Sequence, residues 1–168
     1  MQIIARDFRK NARPYVIQSV LATLAILLIL LFLDVFTHTA LIATLGSSVF
    51  LVFTRPHAFG SRPRSLLGGY GIGIVVGVVF YYLSHLPEMA QIPISQATTY
   101  IVFSALSVGC AIFLMVITSA EHPPAAGMAL GLVINTWTIK ALIVIMLAVV
   151  FMAVLRRALQ NFMIDLVE

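Results

Sequence analysis

The sequence contains very little charge. Ten of its 168 residues are lysine or arginine and six are aspartate or glutamate. Charged residues therefore make up 10% of the chain, whereas a soluble domain averages about 25%. Apolar residues make up 61%, and the mean hydropathy is +1.08. A chain with so few charges cannot cover itself with a water-compatible surface, which excludes an ordinary soluble protein.

Two further absences narrow the class of protein. There is one cysteine, Cys110, which excludes an intrachain disulfide. Because Cys110 lies inside an apolar run, it is predicted to be a small packing residue. The basic residues form no stripe on a polar domain, so the pattern of a nucleic-acid-binding protein is excluded. No cofactor and no metal ion is predicted.

Long apolar runs dominate what is present. A helix needs about 20 apolar residues to cross a bilayer core about 30 Å thick. Four runs approach this length, namely residues 15–33, 66–83, 98–117 and 139–155. Two shorter runs, residues 40–53 and 125–137, each reach only about 20 Å as helices. The predicted fold is all-α, a polytopic transmembrane helical bundle that forms one domain over residues 1–168.

Clusters of basic residues indicate the topology. The first cluster, Arg6, Arg9, Lys10 and Arg13, precedes the run at 15–33. The second, Arg55, Arg62 and Arg64, lies between the runs at 40–53 and 66–83. The third, Arg156 and Arg157, follows the run at 139–155. If both short runs cross the membrane, all three clusters lie on one side, as the positive-inside rule requires. Six crossings are therefore predicted, with both termini cytoplasmic and the chain in a bacterial inner membrane. Lys140 is the exception, near the outer end of the last span.

The six crossings divide into two halves, about residues 15–84 and 98–157. Each half reads long, short, long, and the halves begin on opposite sides, which predicts two inverted three-span repeats. Short, glycine- or proline-interrupted segments in matching positions indicate a substrate site near the membrane midplane. A helix N-terminus at that depth also favours an anion. The site is predicted between the two short helices.

Small and polar residues of the short spans are the candidates for this site. Glycine lets a ligand approach the backbone, and serine hydroxyls donate or accept hydrogen bonds, although the same residues also suit helix packing. His122 precedes two prolines that fit the first turn of a helix, so it stands at or just before the N-cap. A helix start with a polar interfacial cap is the alternative. The predicted substrate-binding residues are Gly46, Ser47, Ser48, His122, Pro123, Pro124, Ala126, Gly127 and Lys140.

The ionisable residues near the apolar runs receive separate predictions. Glu121 and His122 are candidates for proton coupling, because a histidine titrates in the physiological range. Asp34, His38 and Lys140 are predicted to anchor at the outer interface. For Lys140 the alternative is attraction of an anion.

Glycines on the third of the six spans, residues 66–83, predict helix packing. Gly69, Gly73 and Gly77 repeat every four residues and share one helix face, so a neighbouring helix can approach closely. Ala105 and Gly109 repeat this small-residue spacing on the fourth of the six spans, residues 98–117.

The chain resembles the HPP family of small integral membrane proteins. The resemblance rests on His122-Pro-Pro-Ala-Ala-Gly127 and on the run Leu45-Gly-Ser-Ser-Val-Phe-Leu-Val-Phe53, followed by Pro56, Pro63-Arg64 and Gly68-Gly69. It covers about residues 40–143. That family includes plastid-envelope and cyanobacterial proteins implicated in nitrite transport and many bacterial members of unknown substrate. The resemblance therefore implies a transporter of a small anion such as nitrite.

The leading functional hypothesis is a transporter or channel for a small inorganic anion, with the lipid bilayer and further copies of the chain as partners. No nucleic-acid partner and no enzymatic activity are predicted. One alternative is a structural or assembly subunit without transport activity. Another is an intramembrane serine hydrolase with Ser47 or Ser48 as nucleophile and a histidine as base.

Overall fold

Six α-helices account for most of the computed structural model, which describes residues 12–31, 39–91 and 95–167. In chain order they are α1 (Ala12–Leu30), α2 (Thr39–Thr54), α3 (Pro63–Ser84), α4 (Gln96–Ile117), α5 (Pro123–Ile134) and α6 (Ile139–Leu159). The described residues contain no β-strand, so the predicted all-α bundle is confirmed. The predictions for Asp34, His38 and the first three basic residues lie outside the described residues.

Local sequence signals set the helix boundaries. Pro63 and Pro123 occupy the first turns of α3 and α5, where a missing N–H removes no intrahelical bond. The side chains of Ser95 and Thr138 accept hydrogen bonds from the first turns of α4 and α6. The second short helix was predicted over residues 125–137. It begins two residues earlier and ends at Ile134, because the caps fall there.

The four long helices, α1, α3, α4 and α6, are long and apolar enough to cross a membrane by length and composition. The shorter apolar helices are α2 and α5. Large apolar side chains cover the outer surface of the bundle, as in Ile101, Leu147 and Val154. Lipid is the solvent that tolerates such a surface, so the chain is a multi-pass integral membrane protein.

The two ends of the bundle differ in chemistry. One end, called here the basic end, carries the described arginines Arg13, Arg55, Arg62, Arg64, Arg156 and Arg157. The other, called here the aromatic end, carries Tyr81, Tyr82, His85, Tyr100 and Trp137 in mutual ring contact. Aromatic rings of this kind are enriched where a membrane meets water.

The glycine-bearing face of α3 packs against α5. A Cβ at Gly69 would lie 2.7 Å from the Cβ of His122, and a Cβ at Gly77 would lie 2.9 Å from the carbonyl oxygen of Ala129. At Gly73 it would overlap the carbonyl group of Ala125. The contacts advance together along both helices, so α3 and α5 run parallel. Only glycine permits so close an approach.

A C-terminal strap, residues 160–167, closes the basic end. The Leu166 N–H donates to the carbonyl of Thr54 at 2.8 Å, at the last residue of α2. The guanidinium of Arg156 donates to the carbonyl of Pro56 from Nε at 3.0 Å and from Nη2 at 2.6 Å. The bond to Thr54 satisfies a carbonyl that the end of a helix leaves without an intrahelical partner, and the bonds to Pro56 fix the loop that follows α2.

Gln18, buried in α1, joins the strap to α2. Its Nε2 donates to the carbonyls of Phe53 (2.6 Å) and Ile164 (2.9 Å), and its Oε1 accepts from the Ile164 N–H at 3.3 Å. A polar side chain only 2% exposed is stable there because its amide is fully bonded.

We expect Gln18→Leu to destabilise the protein by about 2 kcal/mol or more, because it leaves buried carbonyls unpartnered. Thermal unfolding in detergent measures the loss, and limited proteolysis should release the strap earlier. Thr23→Val is the matched control, since Thr23 is exposed and, within the described residues, its hydroxyl donates to the carbonyl of Ser19 in its own helix. Equal melting temperatures for the two variants would contradict the role of Gln18.

Candidate functional site

The segment between α4 and α5, residues 118–122, carries His122 into the bundle. Ser119 has a φ of 51°, in the left-handed region, which turns the chain after α4. Arg64 at the start of α3 donates from Nη2 to the carbonyl of Thr118 at 3.0 Å. From there the segment runs inward along α3. A Cβ at Gly68 would lie 2.9 Å from the Cβ of Ala120, so this glycine makes room for the segment.

His122 consequently lies inside the helical bundle. It contacts Ser48, six residues before the end of α2, and Tyr70, seven residues after the start of α3. With a rise of about 1.5 Å per residue, both contacts lie about 10 Å inside the basic end. The short helix α5 therefore begins within the bundle, and its 12 residues need not span the whole bilayer.

Three hydroxyl groups meet the imidazole of His122 in what we call the polar cluster, Thr44, Ser48, Tyr70 and His122. Ser48 Oγ lies 2.7 Å from His122 Nε2 and 2.8 Å from Tyr70 Oη. Tyr70 Oη donates to Thr44 Oγ1 at 3.3 Å. Thr44 is 7% exposed, and the other three residues are 0% exposed.

Hydrogen-bond geometry assigns the proton on the His122 ring. Nδ1 lies 2.8 Å from the carbonyl oxygen of Gly60, in the loop between α2 and α3. Since a carbonyl can only accept, Nδ1 carries a proton. In the neutral ring Nε2 is then an acceptor, and the Ser48 hydroxyl donates to it. The loop at Gly60 thus fixes which nitrogen faces the hydroxyls.

Ser48 has a second acceptor within reach. Its Oγ lies 3.0 Å from the carbonyl oxygen of Thr44, one turn earlier in α2. The hydroxyl can donate either to His122 or to this carbonyl, and in both cases its oxygen accepts from neighbours. Every side-chain polar atom of the cluster has a partner, as buried polar groups require.

A groove of about 480 Å³ between α2 and α5 opens beside the polar cluster. Its lining residues are Ala43, Thr44, Ser47, Pro123, Pro124, Gly127, Leu130 and Gly131. Thr44 belongs to both the groove and the cluster, so it links them. Ser47 is exposed in the groove, and its hydroxyl donates to the carbonyl of Ala43 at 3.1 Å.

The residues predicted to bind substrate separate into groups. Ser48 and His122 meet in the polar cluster. The residues that line the groove are Ser47, Pro123, Pro124 and Gly127. Ala126 is buried in α5. Gly46 is half-buried, and a Cβ there would meet nothing within 4 Å. Lys140 is exposed at the start of α6, at the opposite end of the bundle from His122.

The start of α5 offers few donors to an anion. Pro123 and Pro124 have no N–H, and the Ala125 N–H donates to the carbonyl of His122 at 2.9 Å. Glu121 is half-buried and forms no side-chain hydrogen bond or ion pair within the described part of the chain. Serine and threonine hydroxyls are therefore the main polar side chains facing the groove.

Sequence reasoning missed Tyr70, Thr44 and the Gly60 carbonyl. Tyr70 lies between glycines in an apolar run, and a buried tyrosine hydroxyl usually finds a partner. Thr44 and Ser48 are four residues apart, hence on one helix face. Those two signals were available, whereas the Gly60 carbonyl depends on a loop conformation that no local pattern specifies.

In the described ranges no three His, Cys, Asp or Glu side chains gather into a metal-binding group.

Six apolar helices around a buried polar cluster define a polytopic helical membrane protein. The sequence model for the family described as HPP, transmembrane region, matches residues 8–165. The chain therefore belongs to the HPP transmembrane family, which confirms the resemblance seen in its motifs. No curated protein and no solved structure is a significant match to the chain.

Proposed function

We propose that the chain is a transporter or channel for a small inorganic anion, with nitrite as the first candidate substrate. The anion moves along the groove between α2 and α5, past the polar cluster. The observation that carries this proposal is the bond between Ser48 and His122, which joins the two short helices at membrane depth beside the groove. Ionisable residues at that depth mark substrate and ion pathways in membrane proteins.

The charges around the groove support an anion as the substrate. Among the described residues no acidic side chain lines the groove, and two of its lining residues carry hydroxyls that can donate hydrogen bonds. Arg62 and Arg64 lie at the basic end, where positive charge raises the local concentration of anions. Lys140 would exert the same attraction at the aromatic end.

Helix directions support the proposed topology. Along α2 and α5 the contacts run in opposite order, from Ser48 with His122 to Thr44 with Met128, so these helices are antiparallel. Two inverted three-span repeats require this arrangement. The repeats would be unequal, because α3 packs on α4 whereas a crevice of about 400 Å³ separates α1 from α6. From the positive-inside rule we propose that the basic end faces the cytoplasm, with both termini on that side of a bacterial inner membrane.

The test is anion flux into liposomes that contain the purified full chain. Nitrite, nitrate, formate and chloride are compared with protein-free liposomes. We expect nitrite flux well above the protein-free rate. Folded protein that carries none of the four anions would contradict transport and favour a structural or assembly subunit.

Ser48→Ala should reduce nitrite flux by about tenfold to a hundredfold, since it removes the hydrogen bond between the short helices. Ser107→Ala is the matched control. Ser107 is equally buried, but its hydroxyl donates to the carbonyl of Ser104 on α4. The site is wrong if both variants carry nitrite at the wild-type rate.

We further propose that Ser48 and His122 do not form a catalytic pair. Their 2.7 Å separation suits a nucleophile and its base, but Ser48 is 0% exposed, and Nδ1 faces a carbonyl where a catalytic triad has a carboxylate. Fluorophosphonate labelling tests this, and a labelled Ser48 would establish hydrolase chemistry.

Homo-oligomerisation stays a prediction, to be measured by mass analysis in native membranes.

A further inference from the structure

We propose that the hydroxyls of Thr44, Tyr70 and Ser48 form a proton relay between the groove and the buried imidazole of His122. The inference rests on the proposed function in one respect, namely that protons move with the anion. Its structural basis is the polar cluster itself, which orders three hydroxyls between a surface groove and a group that accepts protons.

The relay is continuous in distance. The distance between Thr44 Oγ1 and Tyr70 Oη is 3.3 Å, and that between Tyr70 Oη and Ser48 Oγ is 2.8 Å. The last distance, between Ser48 Oγ and His122 Nε2, is 2.7 Å. Each separation is that of a hydrogen bond or slightly longer. His122 itself is 0% exposed and therefore has no direct contact with water. Thr44 is the residue shared by the groove and the polar cluster, so the proposed relay takes its proton from the groove at Thr44.

Proton transfer along the relay balances without any other reactant. Before transfer the Tyr70 hydroxyl turns from Thr44 to Ser48, and the Thr44 hydroxyl turns from the Leu41 carbonyl to Tyr70. A hydronium ion in the groove then gives a proton to Thr44 Oγ1, which passes its own proton to Tyr70. Tyr70 passes one to Ser48, and Ser48 passes one to Nε2 of His122. The groove loses one hydronium charge and the imidazole gains one positive charge. Release reverses these steps, and no bond to carbon or nitrogen of the backbone changes.

Both protonation states of His122 keep a complete set of hydrogen bonds. In the neutral state the Ser48 hydroxyl donates to Nε2. In the charged state Nε2–H donates to Ser48 Oγ, and the Ser48 hydroxyl turns to the Thr44 carbonyl, 3.0 Å away. Thr44 similarly alternates between Tyr70 and the Leu41 carbonyl, 2.7 Å away. Because only hydroxyl rotation is needed, the buried ring can be charged and discharged without repacking.

Few charged groups surround His122. The described elements packed against it are α2, α3 and the loop at Gly60, and their titratable or charged groups towards the basic end are Tyr70, Arg55, His57, Arg62 and Arg64. Arg55 and His57 contact the strap, at Val167 and Asp165. Arg62 lies over the ring of Phe59, 5.1 Å from its centroid, and Arg64 bonds to the Thr118 carbonyl. Glu121 precedes His122 in its own segment. The two ring nitrogens bond only to Ser48 and Gly60 among the described residues, so the relay is their proton route.

The relay is tested first by ¹⁵N NMR of histidine-labelled full chain in liposomes, with the His122 signals assigned from His122→Gln. At neutral pH we expect the tautomer with the proton on Nδ1. At the pH of half-protonation, Tyr70→Phe should slow proton exchange at His122 by about a hundredfold, because the middle hydroxyl is gone. The other tautomer, or an unchanged exchange rate in Tyr70→Phe, would overturn the relay.

A second measurement connects the relay to transport. A trapped pH dye reports protons that enter with nitrite, and the ratio of protons to nitrite should fall about tenfold or more in Tyr70→Phe and in Thr44→Val. Tyr100→Phe is the control, because the Tyr100 hydroxyl lies 3.1 Å from Nε2 of His85 at the aromatic end. An unchanged ratio in both cluster variants rejects the relay. If the wild-type chain carries no nitrite, the proposed function fails, and NMR alone decides the relay.

Discussion

We expect Gly73→Ala to destabilise the protein more than the addition of a methyl group at any other glycine. A Cβ at Gly73 would overlap the backbone carbonyl of Ala125, which cannot move aside as a flexible side chain could. The α3 and α5 helices must then separate, at a cost of about 3 kcal/mol. Separation also moves Tyr70 away from His122, so flux should fall together with the melting temperature.

Gly71→Ala is the matched control for Gly73→Ala. Both glycines lie in α3, but a Cβ at Gly71 would meet nothing within 4 Å. Alanine is favoured over glycine in a helix by about 1 kcal/mol, so Gly71→Ala should melt no lower than the wild type. Gly77→Ala provides a second test, because its Cβ would lie 2.9 Å from the Ala129 carbonyl oxygen. Equal melting of Gly73→Ala and Gly71→Ala would show that close packing of α3 on α5 is not required.

Removal of the His122 imidazole is expected to have the largest effect on transport. His122→Ala leaves the Ser48 hydroxyl and the Gly60 carbonyl without their shared partner and opens a cavity between α2, α3 and α5. The Gly60 carbonyl left unpaired costs about 1–3 kcal/mol, whereas Ser48 keeps the Thr44 carbonyl and Tyr70 as partners. We expect nitrite flux to fall by about a hundredfold or more, since the two short helices also lose their polar connection.

Two variants separate the chemistry of His122 from its structural role. His122→Gln keeps an amide that can donate and accept, so it should recover much of the stability that His122→Ala loses, but it cannot carry a proton. Flux should stay low in His122→Gln. His85→Ala is the control, because His85 is exposed at the aromatic end and bonds to Tyr81 and Tyr100. Wild-type flux in a well-folded His122→Gln protein would show that protonation of His122 has no part in transport.

Composition and hydropathy were enough to predict the helical bundle and its four long helices. Apolar runs of about 20 residues have one stable outcome in a bilayer, since every backbone N–H and C=O must be bonded internally. The His122-Pro-Pro motif likewise indicated the start of α5, because two prolines fit only a first turn. These predictions depend on local chemistry alone, which explains why they succeeded.

Spacing of small residues did not distinguish packing faces from lipid-facing ones. Gly69, Gly73 and Gly77 pack against α5, whereas on α4 both Ala105 and Gly109 are exposed. Cys110, predicted to pack, is also exposed on α4. The choice depends on which helix stands opposite, which is a tertiary fact that a four-residue repeat does not contain.

The composition of the polar cluster was predictable only in part. Ser48 and His122 were named from their motifs, but Tyr70 enters because α3 runs parallel to α5 and faces α2. Ser47 and Ser48 were equivalent in the sequence, and only the rotation of α2 places Ser48 inside and Ser47 in the groove. The strap at the basic end was not foreseen, because Gln18 finds its partners 35 and 146 residues away.

The central claim is that water and a small anion enter the groove between α2 and α5. It is tested most directly by thiol labelling of Ser47→Cys in a Cys110→Ser background, with a charged reagent that does not cross lipid. Leu106→Cys is the control, because Leu106 is 51% exposed on α4 and does not line the groove. We predict that the thiol of the Ser47→Cys variant reacts much faster than that of the Leu106→Cys variant and that nitrite slows its reaction. Equal, slow labelling of both variants, unaffected by nitrite, would contradict an aqueous path between the short helices.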